Sequence, residues 1–403
     1  MTVETEPVVF NRPHVTGDEF RFMQEAIGNA HLASSGPFSR RCADWLQEQT
    51  GCRLALLTHS CTAALEMAFT LADIGPGDEV IMPSFTFVTT ANAVVGRSGR
   101  PVFVDIRPDT LCIDEQQVEA AITSRTKAIV PVHYAGVGCE MGILAGIASD
   151  HGVLLIEDAA QGVGASVSGL PLGSIGQLGA FSFHETKNVS CGEGGALLVN
   201  DQRFLDRAEV VHEKGTNRAR FYRGQVDKYT WVDVGSSYAL SELAAAYLWA
   251  QLQHEREITA TRLDIWQRYH SAFAGLEREG RLRRPVAPAN CEHNAHMYYL
   301  LLDDLEMRTA FIRHLASLGV NAVFHYVPLH ASTAGRLYGD SNGKLPITTN
   351  VSDRLVRLPL WADMSEGQVD RVIDAVADFM QSTSSSSGYH DRAPGPERRS
   401  AVS

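Results

Sequence analysis

Phe181-Ser182-Phe183-His184-Glu185-Thr186-Lys187-Asn188, followed by Gly192-Glu193-Gly194-Gly195, decides how this chain is read. An apolar run, Leu178 to Phe183, leads into a polar turn carrying one lysine, and a second strand-like run, Ala196 to Val199, follows the glycines. A lysine held at a strand end beside close-packed backbone can anchor an aldehyde-bearing cofactor. It can equally be a solvated turn lysine, so the rest of the chain has to decide.

Upstream, apolar runs alternate with helical patterns. Leu54–Leu57, Glu79–Met82, Pro101–Ile106, Ala128–His133 and Val153–Glu157 read as strands, and Ser60–Ile74, Thr86–Arg97, Asp114–Thr123 and Glu140–Asp150 as helices. Thr16 with Glu19 three positions on is a capping-box pattern that predicts a helix over Thr16–Gly28. Repeated β–α units imply an α/β fold with a mostly parallel central sheet, which binds ligands at the carboxyl ends of its strands. Downstream, residues 214–238 are irregular, aromatic and basic, and Ser241–Ala274 is helical with room for one break. A smaller α+β unit follows, with strands Met297–Leu302 and Val323–Tyr326 and helices Met307–Leu318 and Glu366–Met380. The predicted division is 1–255, a large domain with its N-terminal helical segment; 256–380, a small C-terminal domain; and 381–403, a Ser-rich disordered tail.

The 403 residues, 44% hydrophobic and 20% charged, suit a globular enzyme. A net charge of -12 argues against general nucleic-acid or membrane-surface binding. No apolar run approaches the ~20 residues of a membrane helix. The seven dispersed cysteines hold no C-x-x-C pair, so reduced thiols in a cytoplasmic protein are expected rather than a metal site. The N-terminus lacks a secretory pattern.

Strand ends elsewhere carry the partners a cofactor lysine needs. Ser60-Cys61-Thr62 stands where a strand gives way to a helix N-terminus, a setting for phosphate or a plain N-cap. Ile156-Glu157-Asp158-Ala159-Ala160-Gln161 ends an apolar strand on an acid, and a buried carboxylate needs a donor or cationic partner. Phe85-Thr86-Phe87 offers a ring that could stack on a planar ligand. Ser182 lies on the strand that delivers Lys187. A phosphate cradle, an acid, a stacking ring and a lysine are together the parts that hold pyridoxal phosphate (PLP).

In these motifs, and in Gly77-Asp78-Glu79-Val80-Ile81, the chain resembles the DegT/DnrJ/StrS family of sugar aminotransferases, from about Phe10 to Met380. It is most similar to the subgroup of TDP-4-oxo-6-deoxyglucose transaminases that forms TDP-4-amino-4,6-dideoxygalactose. That likeness is carried by Pro131-Val132-His133-Tyr134-Ala135-Gly136, Lys214 to Arg218, Gln225 to Trp231 and Phe324 to His330. The resemblance implies fold type I of the PLP-dependent transferases and Lys187 as the lysine that holds PLP. It also implies Asp158 on the pyridine nitrogen, Gln161 near the ring hydroxyl, Phe87 stacked on the ring, and Cys61, Thr62 and Ser182 at the phosphate. Tyr326 and His330 would lie toward the substrate, L-glutamate would be the amino donor, and a homodimer would share its active sites. Many members carry Tyr-Asn-Tyr-Arg where this chain has Ser236-Ser237-Tyr238-Ala239, so Ser237 would make the asparagine's contact to the neighbouring subunit's cofactor phosphate with a shorter arm.

The expected reaction is amino transfer from L-glutamate to C4 of TDP-4-oxo-6-deoxyglucose. A cationic patch for the diphosphate is offered by the segment Lys214 to Lys228, where Arg218, Arg220, Arg223 and Lys228 stand among Phe221, Tyr222 and Tyr229. A solvated basic loop is its alternative. Competing readings are a PLP-dependent sugar dehydratase, disfavoured by Lys187 because those enzymes carry histidine there, a C3 aminotransferase, and a non-catalytic regulator built on the same fold. A nicotinamide enzyme is disfavoured because no G-x-G-x-x-G follows the first strand.

Overall fold

Strands buried on both faces read as near-continuous apolar runs, and Glu79–Pro83, Leu178–Ser182 and Gly195–Val199 are buried along their whole length. The structure, a computed structural model, describes residues 6–387. Its central sheet runs in the order Leu54–Thr58, Gly195–Val199, Leu178–Ser182, Leu154–Asp158, Thr126–Ile129, Glu79–Pro83, Arg100–Val104, Asp340–Ser341. Gly195–Val199 is antiparallel to both neighbours, and the other pairs are parallel. The carboxyl ends of Leu54–Thr58, Glu79–Pro83, Leu154–Asp158 and Leu178–Ser182 therefore share one rim with the start of Gly195–Val199. Cys61–Leu71 and Val88–Val95 cover one face through Leu65, Met67, Phe69 and Val94. Pro37–Thr50, Met141–His151 and Glu242–Gln253 cover the other through Phe38, Leu46, Leu144 and Leu248.

The C-terminal unit is built on a three-stranded antiparallel sheet with Leu355–Leu358 between Tyr298–Leu301 and Val323–Phe324. Leu305–Ser317, Glu255–Ala272 and Glu366–Ser387 pack against it around Tyr269, Tyr298, Phe311 and Trp361. The expected break in the long helical region falls at His254, which ends Glu242–Gln253 and precedes Glu255–Ala272. Two segments lie across the division drawn at residue 255. Val8 packs in the C-terminal core and bridges to Val320, and Asp340–Ser341 pairs with Val102 and Phe103 of the large sheet. Beside that strand, the buried Asp105 accepts from the Ile347 and Thr348 amides at 2.9 and 2.7 Å.

Several boundaries differ from expectation for local reasons. Glu19 does accept from the Thr16 amide at 2.8 Å, but the helix begins only at Glu19, because Gly17 takes a left-handed φ of 99°. The strand expected through His133 stops at Ile129, because Pro131 has no N–H to give the ladder. The last helix runs past Met380 to Ser387, serine being tolerated once a helix is propagating. Residues 388–403, the rest of the expected tail, lie outside the described residues. Among the described residues no helix is long and apolar enough to cross a membrane.

Candidate active site

A cavity of about 760 Å³ opens on the shared rim, in the size range of small-molecule sites. Its walls bring together Cys61, Thr62, Phe87, Asp158, Gln161, Ser182, Lys187 and Tyr326, which are distant in sequence.

The register explains one wall. Thr58, Gly195 and Ser182 lie side by side across adjacent strands, so the helix that starts at Cys61 begins beside Ser182. Ser60 caps it, accepting from the Ala63 amide at 3.1 Å. The amides of Cys61 and Thr62 are in the first turn and have no carbonyl four residues back, which leaves them free for an anion. The approach is close enough to require glycine: a Cβ on Gly195 would stand 2.5 Å from the Cys61 nitrogen. The glycine after the lysine turn thus lets strand and helix start meet. Gly195→Ala is expected to lower stability by about 1–3 kcal/mol, read from urea unfolding. An unchanged midpoint would contradict the backbone contact.

Asp158 ends the Leu154–Asp158 strand and is buried. Its Oδ2 accepts from Thr90 Oγ1 at 2.7 Å and its Oδ1 from the Ala160 amide at 3.2 Å. Burial nevertheless raises its pKa, against the pull of Thr90, the Ala160 amide and the charges of Lys187 and His133. Among the described residues, this carboxylate has hydrogen-bond donors but no cation in ion-pair contact. Partly buried Lys187 has its pKa lowered by desolvation, against the opposing effect of Cys61 and Asp158. Burial pushes the Cys61 thiol well above its ordinary value and so keeps it neutral near pH 7, which leaves Asp158 as the counter-charge.

Phe87 precedes the Val88–Val95 helix in an extended conformation and is 58% exposed, at the cavity wall rather than in the core. Gln161 accepts from the Ala135 amide at 2.7 Å and donates to the Tyr326 hydroxyl at 3.2 Å. Tyr326 holds a left-handed φ of 40°, costly for a bulky side chain, and its carbonyl is tied by Ser352 Oγ at 2.8 Å. The donor set fits PLP: a lysine for the aldehyde, a buried acid lacking a cation for the ring nitrogen, helix-start amides for the phosphate and an aromatic wall.

Other expected site residues lie elsewhere. His330 packs on Ser84, its Nδ1 2.7 Å from Ser84 Oγ, and the histidines that line the deep part of the cavity are His296 and His325. Arg218, which opens the short helix Arg218–Tyr222, and Lys228, on the loop after it, are exposed and lie outside the cavity, and Arg218 contacts Tyr222 at 2.8 Å. Arg220 and Arg223 are paired with Asp206 and Glu209. Ser237 is exposed and bridges to Glu213. Sequence reasoning passed over Thr90, His296, His325 and Arg357, all of which line the cavity. Arg357 was within reach: it interrupts the apolar strand Leu355-Val356-Arg357-Leu358 as Asp158 ends its own.

Comparison with known proteins agrees with this construction. The model of the DegT/DnrJ/EryC1/StrS aminotransferase family matches residues 13–377. The spore coat polysaccharide biosynthesis protein SpsC of Bacillus subtilis is 32% identical over 380 residues, covering 92% of this chain and 97% of that one. The aminotransferase TlmJ from Streptoalloteichus hindustanus superposes with a TM-score of 0.85 at 29% identity, covering 94% of this chain and 100% of that one. The putative sugar aminotransferase Spr1654 from Streptococcus pneumoniae, solved in PLP and PMP forms, gives 0.85 for the PLP form at 26% identity, covering 93% and 99%. With its lysine, acid and helix start gathered at the carboxyl ends of one mostly parallel sheet, the chain belongs to the DegT/DnrJ/EryC1/StrS aminotransferase family and has the α/β fold of the PLP-dependent aminotransferases.

Proposed function

We propose that the protein moves an amino group from L-glutamate to C4 of TDP-4-oxo-6-deoxyglucose, giving a TDP-4-amino-4,6-dideoxyhexose. The observation that carries the amino-transfer reading is the meeting of Lys187, Asp158 and the Cys61–Thr62 helix start in one cavity. The nucleotide sugar rests on the subgroup's motifs in the sequence.

PLP supplies a carbonyl that amines attack and a ring that withdraws electrons from the reacting carbon. The protein holds and times this chemistry. Asp158 would hold the ring nitrogen protonated, its own orientation fixed by Thr90 and the Ala160 amide. Gln161, braced between Ala135 and Tyr326, directs a polar group at the ring's edge. The Cys61 and Thr62 amides with Ser182 hold phosphate. Lys187 would hold the aldehyde, and its Nζ would remove the proton at the donor's Cα in one half-reaction and deliver one to C4 of the sugar in the other. An unperturbed lysine, at about 10.4, would be almost wholly charged at pH 7, so the lowered pKa suits a base.

The exposed segment from Arg218 to Trp231, a short helix and the loop after it, carries Lys228 with exposed Tyr222, Tyr229 and Trp231, and Ser237 lies beyond it. Their position outside the chain's own cavity supports a homodimer in which each loop serves the other subunit's site, with Ser237 at phosphate and Arg218 and Lys228 at the nucleotide diphosphate.

Purified protein given PLP, L-glutamate and TDP-4-oxo-6-deoxyglucose is expected to yield an amino sugar nucleotide by mass spectrometry. Turnover of the 3-oxo isomer alone would favour the C3 reading and overturn the C4 assignment.

A further inference from the structure

We propose that a second cavity, apart from the cofactor site, binds a small organic ammonium ion on the carboxylate of Glu255. The cavity measures about 320 Å³, at the small end of ligand sites, and lies beside the start of the Glu255–Ala272 helix. Its apolar walls include Trp45, Leu172, Phe181 and Leu263. Among the described residues it shares no lining side chain with the cavity that holds Lys187. Alternation along Leu178–Ser182 explains the separation. Ser182 lines the cofactor cavity from one face of that strand, and Phe181 lines this one from the other.

Glu255 is only 6% exposed, and its bonding is incomplete. Oε1 accepts from Thr259 Oγ1 at 2.8 Å, and among the described residues nothing donates to Oε2. The carboxylate rests on the backbone of Gly164, where a Cβ would collide with Oε1, so it is held at the cavity wall. Arg256 is exposed and makes no ion pair with it. Burial raises the Glu255 pKa against the opposing effects of Thr259 and Arg256, while its place at the first position of a helix favours the charge. The other buried glutamates are better provided. Glu79 and Glu115 pair with Arg125 and Arg107. Glu157 accepts from the Gly173, Ile175 and Gly176 amides. Glu242 accepts from the Gly36, Phe38 and Ser39 amides, and Glu19 from Thr16, Gly17 and Gln251. A buried carboxylate with one neutral donor and an open oxygen at a cavity is suited to a cation.

The walls select among cations. A metal ion needs more oxygen ligands than one carboxylate supplies, and no three potential ligands cluster among the described residues. An organic ammonium fits each part. Its N–H donates to Oε2, the rings of Trp45 and Phe181 favour its charge, and its hydrocarbon part replaces water on Leu172 and Leu263. The floor of the cavity leads toward the cofactor. Gly162 and Val163 line it, Gly162 follows Gln161, and Asn294 Nδ2 donates to the Gln161 and Val163 carbonyls at 2.8 Å. An occupant therefore bears on the segment that positions Gln161.

The test uses the full chain loaded with pyridoxamine phosphate, which has no aldehyde for an amine to attack. The probe is isopentylamine, protonated at pH 7. Calorimetry is expected to show one ion bound per chain. Glu255→Gln keeps the shape and an acceptor for Thr259. It is expected to raise the Kd by about 30-fold, the low end of the loss when one partner of a buried charge pair is truncated. Isopentanol, the neutral counterpart, should bind the wild type and Glu255→Gln alike, and more weakly than the ammonium binds the wild type. Ala260→Leu, at an exposed helix position on the cavity wall, narrows the space without touching the acid and should weaken the ammonium too. Circular dichroism separates these losses from misfolding, and if Glu255→Gln does not fold, Ala260→Leu decides. The proposal is overturned if the wild type does not bind isopentylamine, if it binds isopentanol as tightly, or if a folded variant of either kind binds the ammonium as the wild type does.

Discussion

Lys187→Ala is expected to lower amino transfer by about 10⁴-fold or more and to abolish covalent attachment of the cofactor. In the proposed reaction two functions end in the same nitrogen. As the anchor, Lys187 presents the aldehyde in a form that exchanges readily with an incoming amine. As a base, it would take the proton from the donor carbon in one half-reaction and give one to the sugar carbon in the other, and general acid–base catalysis alone contributes about 10²–10⁴. Desolvation in the cavity lowers its pKa, aided by the charge of Arg357 and resisted by Cys61 and Asp158. A lower pKa leaves more of the amine neutral and able to accept a proton at any pH below it. Borohydride treatment followed by mass spectrometry should find the cofactor fixed to the wild type and absent from Lys187→Ala. A small primary amine added to the variant should restore part of the rate, since the missing group is an amine and not a fold determinant. Cofactor still fixed by borohydride in the variant would place the anchor on another lysine.

The second large effect belongs to Asp158→Asn, with an expected loss of about 10²- to 10³-fold in rate, the scale for removing one electrostatic stabiliser from an active site. The amide keeps an oxygen for Thr90 and fills the same space, but it cannot hold a cationic ring nitrogen. The same substitution should act in the opposite direction on stability when no cofactor is bound. Burial raises the native pKa of Asp158. Above the ordinary carboxyl range and up to the raised value, the folded state therefore binds more protons than the unfolded state, and stability falls as pH rises. Asp158→Asn removes that cost. Without PLP the variant should melt at the same temperature as the wild type or higher at neutral pH, and the difference should vanish in acid. With PLP the order should reverse, because only the wild type gains from pairing the acid with the ring. A variant less stable than the wild type in both states would make Asp158 a structural acid.

Much of this site was legible in the chain because its parts sit at the ends of apolar runs. Lys187 and Asp158 stand out for one reason: a charged group that closes a buried strand demands a partner. The same reasoning applied to Arg357 would have found it, but a short strand in the C-terminal unit gives no indication of facing the cofactor cavity. That depends on how the Leu355–Leu358 sheet docks, a tertiary matter that also brings His325 and Tyr326 to the wall and leaves His330 on Ser84. The antiparallel insertion of Gly195–Val199 between Leu54–Thr58 and Leu178–Ser182 was equally hidden, since an apolar run carries no direction. Yet that insertion explains why Gly195 is glycine and why the Cys61 helix begins beside Ser182. The two-residue strand Asp340–Ser341 is too short to show any periodicity and pairs with the large sheet through contacts that arise only in the fold.

The proposed transfer of an amine from glutamate onto C4 of a keto sugar nucleotide at Lys187 is read most directly by NMR of the product formed from ¹⁵N-glutamate and TDP-4-oxo-6-deoxyglucose in D₂O. Nitrogen-15 and one deuterium on the same carbon, C4, is the predicted result, because the amine arrives there and Lys187 delivers a solvent-exchanged proton to the same atom. Nitrogen-15 on any other carbon, or a product with no nitrogen-15, would contradict it.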